Sequence, residues 1–293
     1  MKKQNFNTQF VLILIFAIFS FLIVAPFIIL ISVSLSSEKD ILLYGYSLLP
    51  KSIDFSAYQY VFKNPQSILN AYKVTITFAA LATSLGVLFM SLLAYPLSRK
   101  DLKGRNIISF FVYFTLLFNG GLVPTYILIT QVLKLGDTIW VYILPTLISP
   151  WYVFMIRTFF SGIPNEICEA ALIDGAHEYT IFFKMILPLS KPVLAAVALF
   201  VFLAKWNDWF TAMIYINNEN LLSLQYLLQR IMKNIQLLLQ SSSENIAVGD
   251  INKIPTETVR MAMAVIVAGP ALIVFPFFQK YFVKGLTVGS VKG

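Results

Sequence analysis

The chain holds 293 residues, of which 58% are hydrophobic and only 12% charged, an excess of apolar side chains that excludes an ordinary water-soluble domain. Its net charge of +8 would point to nucleic acid in a soluble protein, so the placement of the charges decides what they mean. A single cysteine, Cys168, excludes an intrachain disulfide, and the single histidine, His177, reads as a solvated loop residue with no companion ligand nearby.

A helix rises about 1.5 Å per residue, so roughly 20 apolar residues cross a hydrocarbon core of about 30 Å. Six runs meet that length, at 10–34, 71–97, 107–130, 139–157, 192–216 and 259–282. The first follows Lys2 and Lys3 and imitates a secretory signal, but it outlasts the roughly 7 to 15 apolar residues of such a signal and reads as an uncleaved span. Residues 35–70 then form a polar connection. In the second run Ala82, Gly86 and Met90 follow at steps of four among Ala79, Ala80 and Ser84, a seam of mostly small residues where another helix can approach. Within the third, Asn119, Gly120 and Gly121 are expected to unwind the backbone and expose carbonyls to a cavity.

Residues 161–191 form the most patterned connection, centred on EAALIDGAHEYTIFFKMILPLSKP from Glu169 to Pro192. Pro164 suits a first helical position, Glu166 its first turn, and Gly175 a left-handed residue after the last turn; Pro188 is expected to end a second helix over 179–187. That second helix carries Ile181, Phe182, Phe183 and Ile186 as an apolar strip, while Glu169, Asp174 and Glu178 offer carboxylates. An amphipathic loop resting on lipid headgroups is the plainer alternative, although anionic headgroups repel these acids. The fifth run contains KWNDW, Lys205 to Trp209, and residues 217–258 form a second long connection before the sixth run and the tail 283–293.

Sorted onto alternate sides, segments 1–9, 98–106, 157–191 and 280–293 carry 12 basic and 5 acidic residues, whereas 35–73, 131–138 and 217–260 carry 9 and 8. The positive excess therefore sits on one side, which places both termini in the cytoplasm and leaves 35–70 and 217–258 as external loops. The expected fold is all-α and polytopic: one transmembrane domain over 1–293 with its core at about 70–282. The chain lacks a GxxxxGK[ST] phosphate loop and any metal-ligand cluster or Ser/His/Asp set, so no catalytic constellation competes.

The segment 169–188 resembles the EAA loop of binding-protein-dependent ABC importer permeases: Glu169, Ala170, Ala171, Gly175, Leu187 and Pro188 fall in register, and Met185 replaces an isoleucine. AYPLSRKDLKGRN, NGGLVPTYILI, WNDWF and the ending QKYFVKGLTVGSVKG extend the resemblance over nearly the whole chain. They are similar to the carbohydrate-uptake, maltose-type branch, and within it to Gram-positive permeases for complex oligosaccharides. The resemblance implies a non-catalytic type I permease subunit in the bacterial cell membrane. It further implies a sister permease, two ATPase subunits carrying ATP and Mg, an extracellular solute-binding lipoprotein, and no cofactor on this chain.

By the same resemblance Glu169, Ala170, Ala171, Asp174, Gly175, Leu187 and Pro188 form the contact to the ATPase. The tail residues Gly289, Lys292 and Gly293 reach toward the ATPase dimer interface, unless that end is simply frayed. Sugars present hydroxyls on their rims and C–H groups on their faces, so Lys205, Trp206, Asn207, Asp208 and Trp209 form a candidate substrate path with Asn119, Tyr126, Trp151 and Tyr152. Lys205 and Asp208, expected on one helical face, serve equally as a structural ion pair. A permease for an amino acid or peptide, and more distantly a membrane enzyme acting on lipid-linked sugars, remain open.

Overall fold

The computed structural model describes residues 6–242 and 256–289. In chain order its helices are α1 (Phe6–Ser34), α2 (Glu38–Tyr44), α3 (Ser56–Val61), α4 (Pro65–Ser98), α5 (Arg105–Leu117) and α6 (Leu122–Ile127). They continue with α7 (Pro150–Ser161), α8 (Asn165–Ile173), α9 (Glu178–Ile181), α10 (Leu187–Leu189), α11 (Lys191–Trp206), α12 (Phe210–Tyr215), α13 (Leu224–Ser242) and α14 (Glu257–Gly289). Tighter and wider turns fill several junctions, and among the described residues the only β pairing is an isolated bridge between Ser36 and Ile53. Expectation and structure agree on an almost wholly helical chain. The connection 35–70, expected as a loop, contains α2 and α3.

Among the described residues three helices are long and apolar enough to cross a membrane, or up to six if each bent pair of helices is one span. The bends fall where the sequence offers a reason. Arg105–Leu117 and Leu122–Val132 meet at 110° across the Asn119-Gly120-Gly121 break, where Gly121 adopts φ +86°, a conformation open chiefly to glycine. Ile139–Thr146 and Pro150–Ser161 meet at 52° before Pro150, which lacks the amide that a continuing helix needs. The apolar runs 107–130 and 139–157 are thus each broken, the first at the glycine pair where unwinding was expected.

The chain divides into two compact units, residues 1–68 with 228–270 and residues 69–227 with 271–293. In the first unit the Glu38 carboxylate accepts the backbone amides of Glu257 at 2.9 Å and Thr258 at 3.0 Å and the Thr258 hydroxyl at 2.7 Å. It supplies from a distant segment the acceptors that the free amides at the start of α14 require. The Glu257 side chain accepts in turn from the Tyr46 hydroxyl at 2.9 Å and pairs with Arg260 at 3.1 Å.

In the second unit the small-residue seam of α4 lies in the interior: Ala79, Ala82 and Met90 are buried, and a Cβ on Gly86 would stand 3.0 Å from the Leu147 carbonyl oxygen. Close backbone approach is the physical reason for glycine there. Farther along the same helix Phe78 stacks on Tyr142 with ring centroids 4.2 Å apart. Asp137, at φ +58°, accepts the amides of Asn217 and Asn218 at 3.0 and 2.8 Å and so fastens the chain beyond α12.

Candidate functional site

The hairpin α8–α9 is built around Gly175, whose φ of +78° ends α8 in the left-handed region expected from the sequence. Pro164 is the residue before the first helical turn rather than within it. The second arm runs farther than expected: α9 continues through a wide turn at Phe182–Ile186 into α10, and Pro188 lies inside this helical stretch. The direction changes instead at Ser190, by 78° into α11. A widened turn tolerates a proline because the hydrogen-bond ladder is already shifted.

One side of the hairpin is locked. Cys168 and Ala171 from α8, with Ile181, Phe182 and Ile186 from the second arm, are buried against Met90, Ala94 and Leu97 of α4 and Ile156 and Phe160 of α7. Each large side chain so removed from water contributes about 2 kcal/mol. Phe183, expected in the same strip, is exposed. The second arm is also tethered by polar groups: the Tyr95 hydroxyl donates to Glu178 at 2.6 Å, and Arg99 reaches the same carboxylate at 3.8 Å. The hydrogen bond from Arg99 to Asp101, at 3.2 Å, holds the Asp101 carboxyl below the usual carboxylate range.

The other side is free. Glu169, Ala170, Asp174, Gly175 and Pro188 are exposed and Leu187 is half-buried. Neither Glu169 nor Asp174 has a side-chain partner among the described residues. Beside them Ile173, which is 86% exposed, and Tyr179 present apolar surface that the sequence pattern did not single out. Their signal was available: two large apolar residues fall off the buried face of otherwise amphipathic helices.

The KWNDW segment is placed differently from expectation. α11 stops at Trp206, so Lys205 and Asp208 do not share a helical face. Lys205, 7% exposed, donates to the Tyr142 carbonyl at 2.5 Å and to the Thr146 hydroxyl, and stands 4.0 Å from Asp208. Asp208 in turn accepts the Thr211 amide at 3.0 Å and the Thr211 hydroxyl at 2.7 Å, holding the start of α12. Trp206, 2% exposed, stacks on Phe202 of its own helix and stands with its ring 6.4 Å from that of Tyr72 in α4. Three of the five residues are therefore committed to joining helices.

Asn207 is exposed, donates to the Leu203 carbonyl at 2.8 Å and accepts from Gln225 at 3.0 Å; Trp209 is 37% exposed. The Asn119 side chain accepts the Gly121 amide at 2.9 Å, and Tyr126, 41% exposed, stacks on Tyr215 at 5.7 Å. Trp151 is exposed and Tyr152 stacks on Phe200 at 6.3 Å. Of the tail, Gly289 ends α14, whereas Lys292 and Gly293 lie outside the described residues, as do residues 243–255 of the expected external loop.

Comparison with known proteins follows the same lines. The model of the family described as binding-protein-dependent transport system inner membrane component matches residues 4–288. Protein LplC of Bacillus subtilis (strain 168) is 38% identical over 273 residues, covering 92% of this chain and 90% of that protein. The polygalacturonan/rhamnogalacturonan transport system permease protein YtcP of the same organism is 37% identical over 275 residues, covering 94% of each. A chain in the crystal structure of a bacterial ABC transporter involved in the import of the acidic polysaccharide alginate superposes with a TM-score of 0.78 at 28% identity, over 96% of this chain and 99% of that one. An apolar helical chain with a hinged, half-buried hairpin, matched over nearly its full length, belongs to the binding-protein-dependent inner membrane component family: it is a multi-pass membrane permease subunit of an ABC transporter, and not an enzyme.

Proposed function

We propose that this permease imports oligosaccharides, crosses the bilayer six times with both ends in the cytoplasm, and works beside a sister permease, two ATPase subunits that bind ATP and Mg, and an extracellular solute-binding lipoprotein. The sugar assignment is supported by relatives whose names specify polygalacturonan/rhamnogalacturonan and arabinooligosaccharide transport, and by the alginate importer. The orientation is supported by the positive excess on one side of the alternating segments. A single transmembrane domain over 1–293 is the organisation proposed with it, its tail 283–293 directed at the ATPase dimer.

The observation that carries the coupling role is the division of the α8–α9 hairpin into a face packed into the core and a face that presents Glu169, Ile173, Asp174 and Tyr179 without partners in the described residues. A lever must be rigid at its base and must contact its driver differently in two states, or nothing is transmitted. The buried arm supplies the rigidity, and the exposed carboxylates supply sites for charge-assisted hydrogen bonds to a basic partner. Gly175 allows the two arms to fold close enough to enter a cleft. On the substrate side the exposed Asn207, Trp209 and Tyr126 offer the hydrogen bonds and flat faces that a sugar takes, while Lys205, Trp206 and Asp208 hold the helices that carry them.

The test is a cysteine at the tip. Ile173→Cys in the intact transporter is expected to crosslink to an ATPase subunit with a yield that changes when nucleotide is added. An assembled complex giving no such adduct overturns the coupling role. Radiolabelled oligosaccharide uptake in a deletion strain tests the substrate: uptake restored by this chain supports the sugar reading, and unchanged uptake in its absence overturns it.

A further inference from the structure

On the far side of the hairpin from Gly175, a cavity of roughly 540 Å³ is lined by Lys100 from the turn before α5, Arg105 at the start of α5, Arg157 in α7, and Ser161, Asn165 and Glu166 leading into α8. Three cations face one carboxylate, and none of the three has an acidic partner within ion-pair distance among the described residues. Arg157 donates to the Ser109 hydroxyl at 3.2 Å and Arg105 to the Arg99 carbonyl at 3.4 Å, so both guanidinium groups are aimed and keep donors to spare. The amides opening α8 have no side-chain cap, and they too suit a negative ligand.

The surroundings of this basic cavity are apolar. A groove of roughly 380 Å³ shares Gly162, Ile163 and Pro164 with it and is otherwise lined by Phe159, Ile167 and Leu189, with Thr158 as its one polar side chain. Along α5, directly after Arg105, the side chains of Ile107, Phe110 and Phe111 are exposed. A charged hollow that opens onto hydrocarbon-compatible surface matches an amphiphile, with an anionic head and an acyl tail, better than a free ion or a soluble protein segment.

We propose that Lys100, Arg105 and Arg157 hold the phosphodiester headgroup of an anionic membrane lipid, with an acyl chain in the adjoining groove. The lipid wedges against the first turn of the coupling hairpin, at the end opposite its docking tip. The site rests on the proposed cytoplasmic placement of 98–106 and 157–191.

The full chain, purified from membranes and delipidated in detergent, is titrated with phosphatidylglycerol, phosphatidylcholine and inorganic phosphate, with adducts read by native mass spectrometry. Phosphatidylglycerol is expected to be retained in preference to phosphatidylcholine, and Arg105→Gln and Arg157→Gln each to weaken that retention about fivefold. Equal retention of the two lipids, or a double variant that binds as the unaltered chain does, overturns the proposal. Displacement of the lipid by inorganic phosphate at equal concentration identifies a free-anion site and overturns it too. Should the double variant not assemble, Asn165→Asp, nearly isosteric and exposed, adds a second carboxylate at the rim; it is expected to lower phosphatidylglycerol retention, and unchanged retention counts against the site. Binding is read here without transport, so failure of the orientation, seen as labelling of Lys100→Cys from outside intact cells, is distinct from failure of the lipid site.

Discussion

Lys205 shows how much one residue's role depends on partners that a local pattern cannot reveal. Its pairing with Asp208 was legible from the spacing, but its shorter contacts are to Tyr142 and Thr146, about sixty positions earlier in the chain. Both acceptors sit in tight turns next to the bend in the 139–161 region, and nothing in KWNDW predicts them. The two residues on either side of Trp206 therefore separate experimentally. Lys205→Met keeps the stem and removes the charge, leaving the buried Tyr142 carbonyl and the Asp208 carboxylate without their cation, and is expected to destabilise the solubilised chain by about 2 kcal/mol, read as a lower thermal midpoint. Asn207→Ala is expected to leave that midpoint within about 0.5 kcal/mol while weakening sugar uptake, and normal uptake kinetics would remove Asn207 from the path. Gly175 was legible for the opposite reason: its left-handed geometry is a purely local demand that the sequence states by itself.

At the scale of elements, the runs of apolar residues were read correctly as helical, and their interruptions were read unevenly. The Asn119-Gly120-Gly121 break was anticipated because paired glycines weaken a helix wherever they stand. The stop at Trp206 was not, because the helix ends there through an aspartate that holds the next one, a cap hidden inside an apolar stretch. Pro188 misled in the other direction: the wide turn at Phe182–Ile186 absorbs the missing amide and the helical path goes on to Leu189. The coupling hairpin can be challenged as an element. Gly175→Pro forces φ to about −65° where the chain needs a positive value, so the two arms must splay while each remains helical. The variant is expected to insert into the membrane normally, and the transporter that contains it to hydrolyse ATP without substrate stimulation; full stimulation in that transporter would count against the hairpin as the coupling element.

For the molecule as a whole, the apolar runs were enough to read a membrane protein and the resemblance of 169–188 to a permease loop enough to read a transporter, whereas long-range fastening was invisible. The Glu38 carboxylate reaches the start of α14 across 219 positions, and no periodicity or spacing connects the two segments. Glu38→Ala is expected to destabilise the folded chain by about 1 kcal/mol and to speed amide hydrogen exchange at Glu257 and Thr258 first; exchange there unchanged would mean the contact does not persist in solution.

That same contact imposes an order on biogenesis. Translation delivers residue 38 long before residue 257, so the acceptor is already in place when the final helix emerges and offers its bare amides. The last membrane segment is thus received by a fixture laid down at the beginning, and a fault in how the first helix is threaded through the bilayer is passed on to the last.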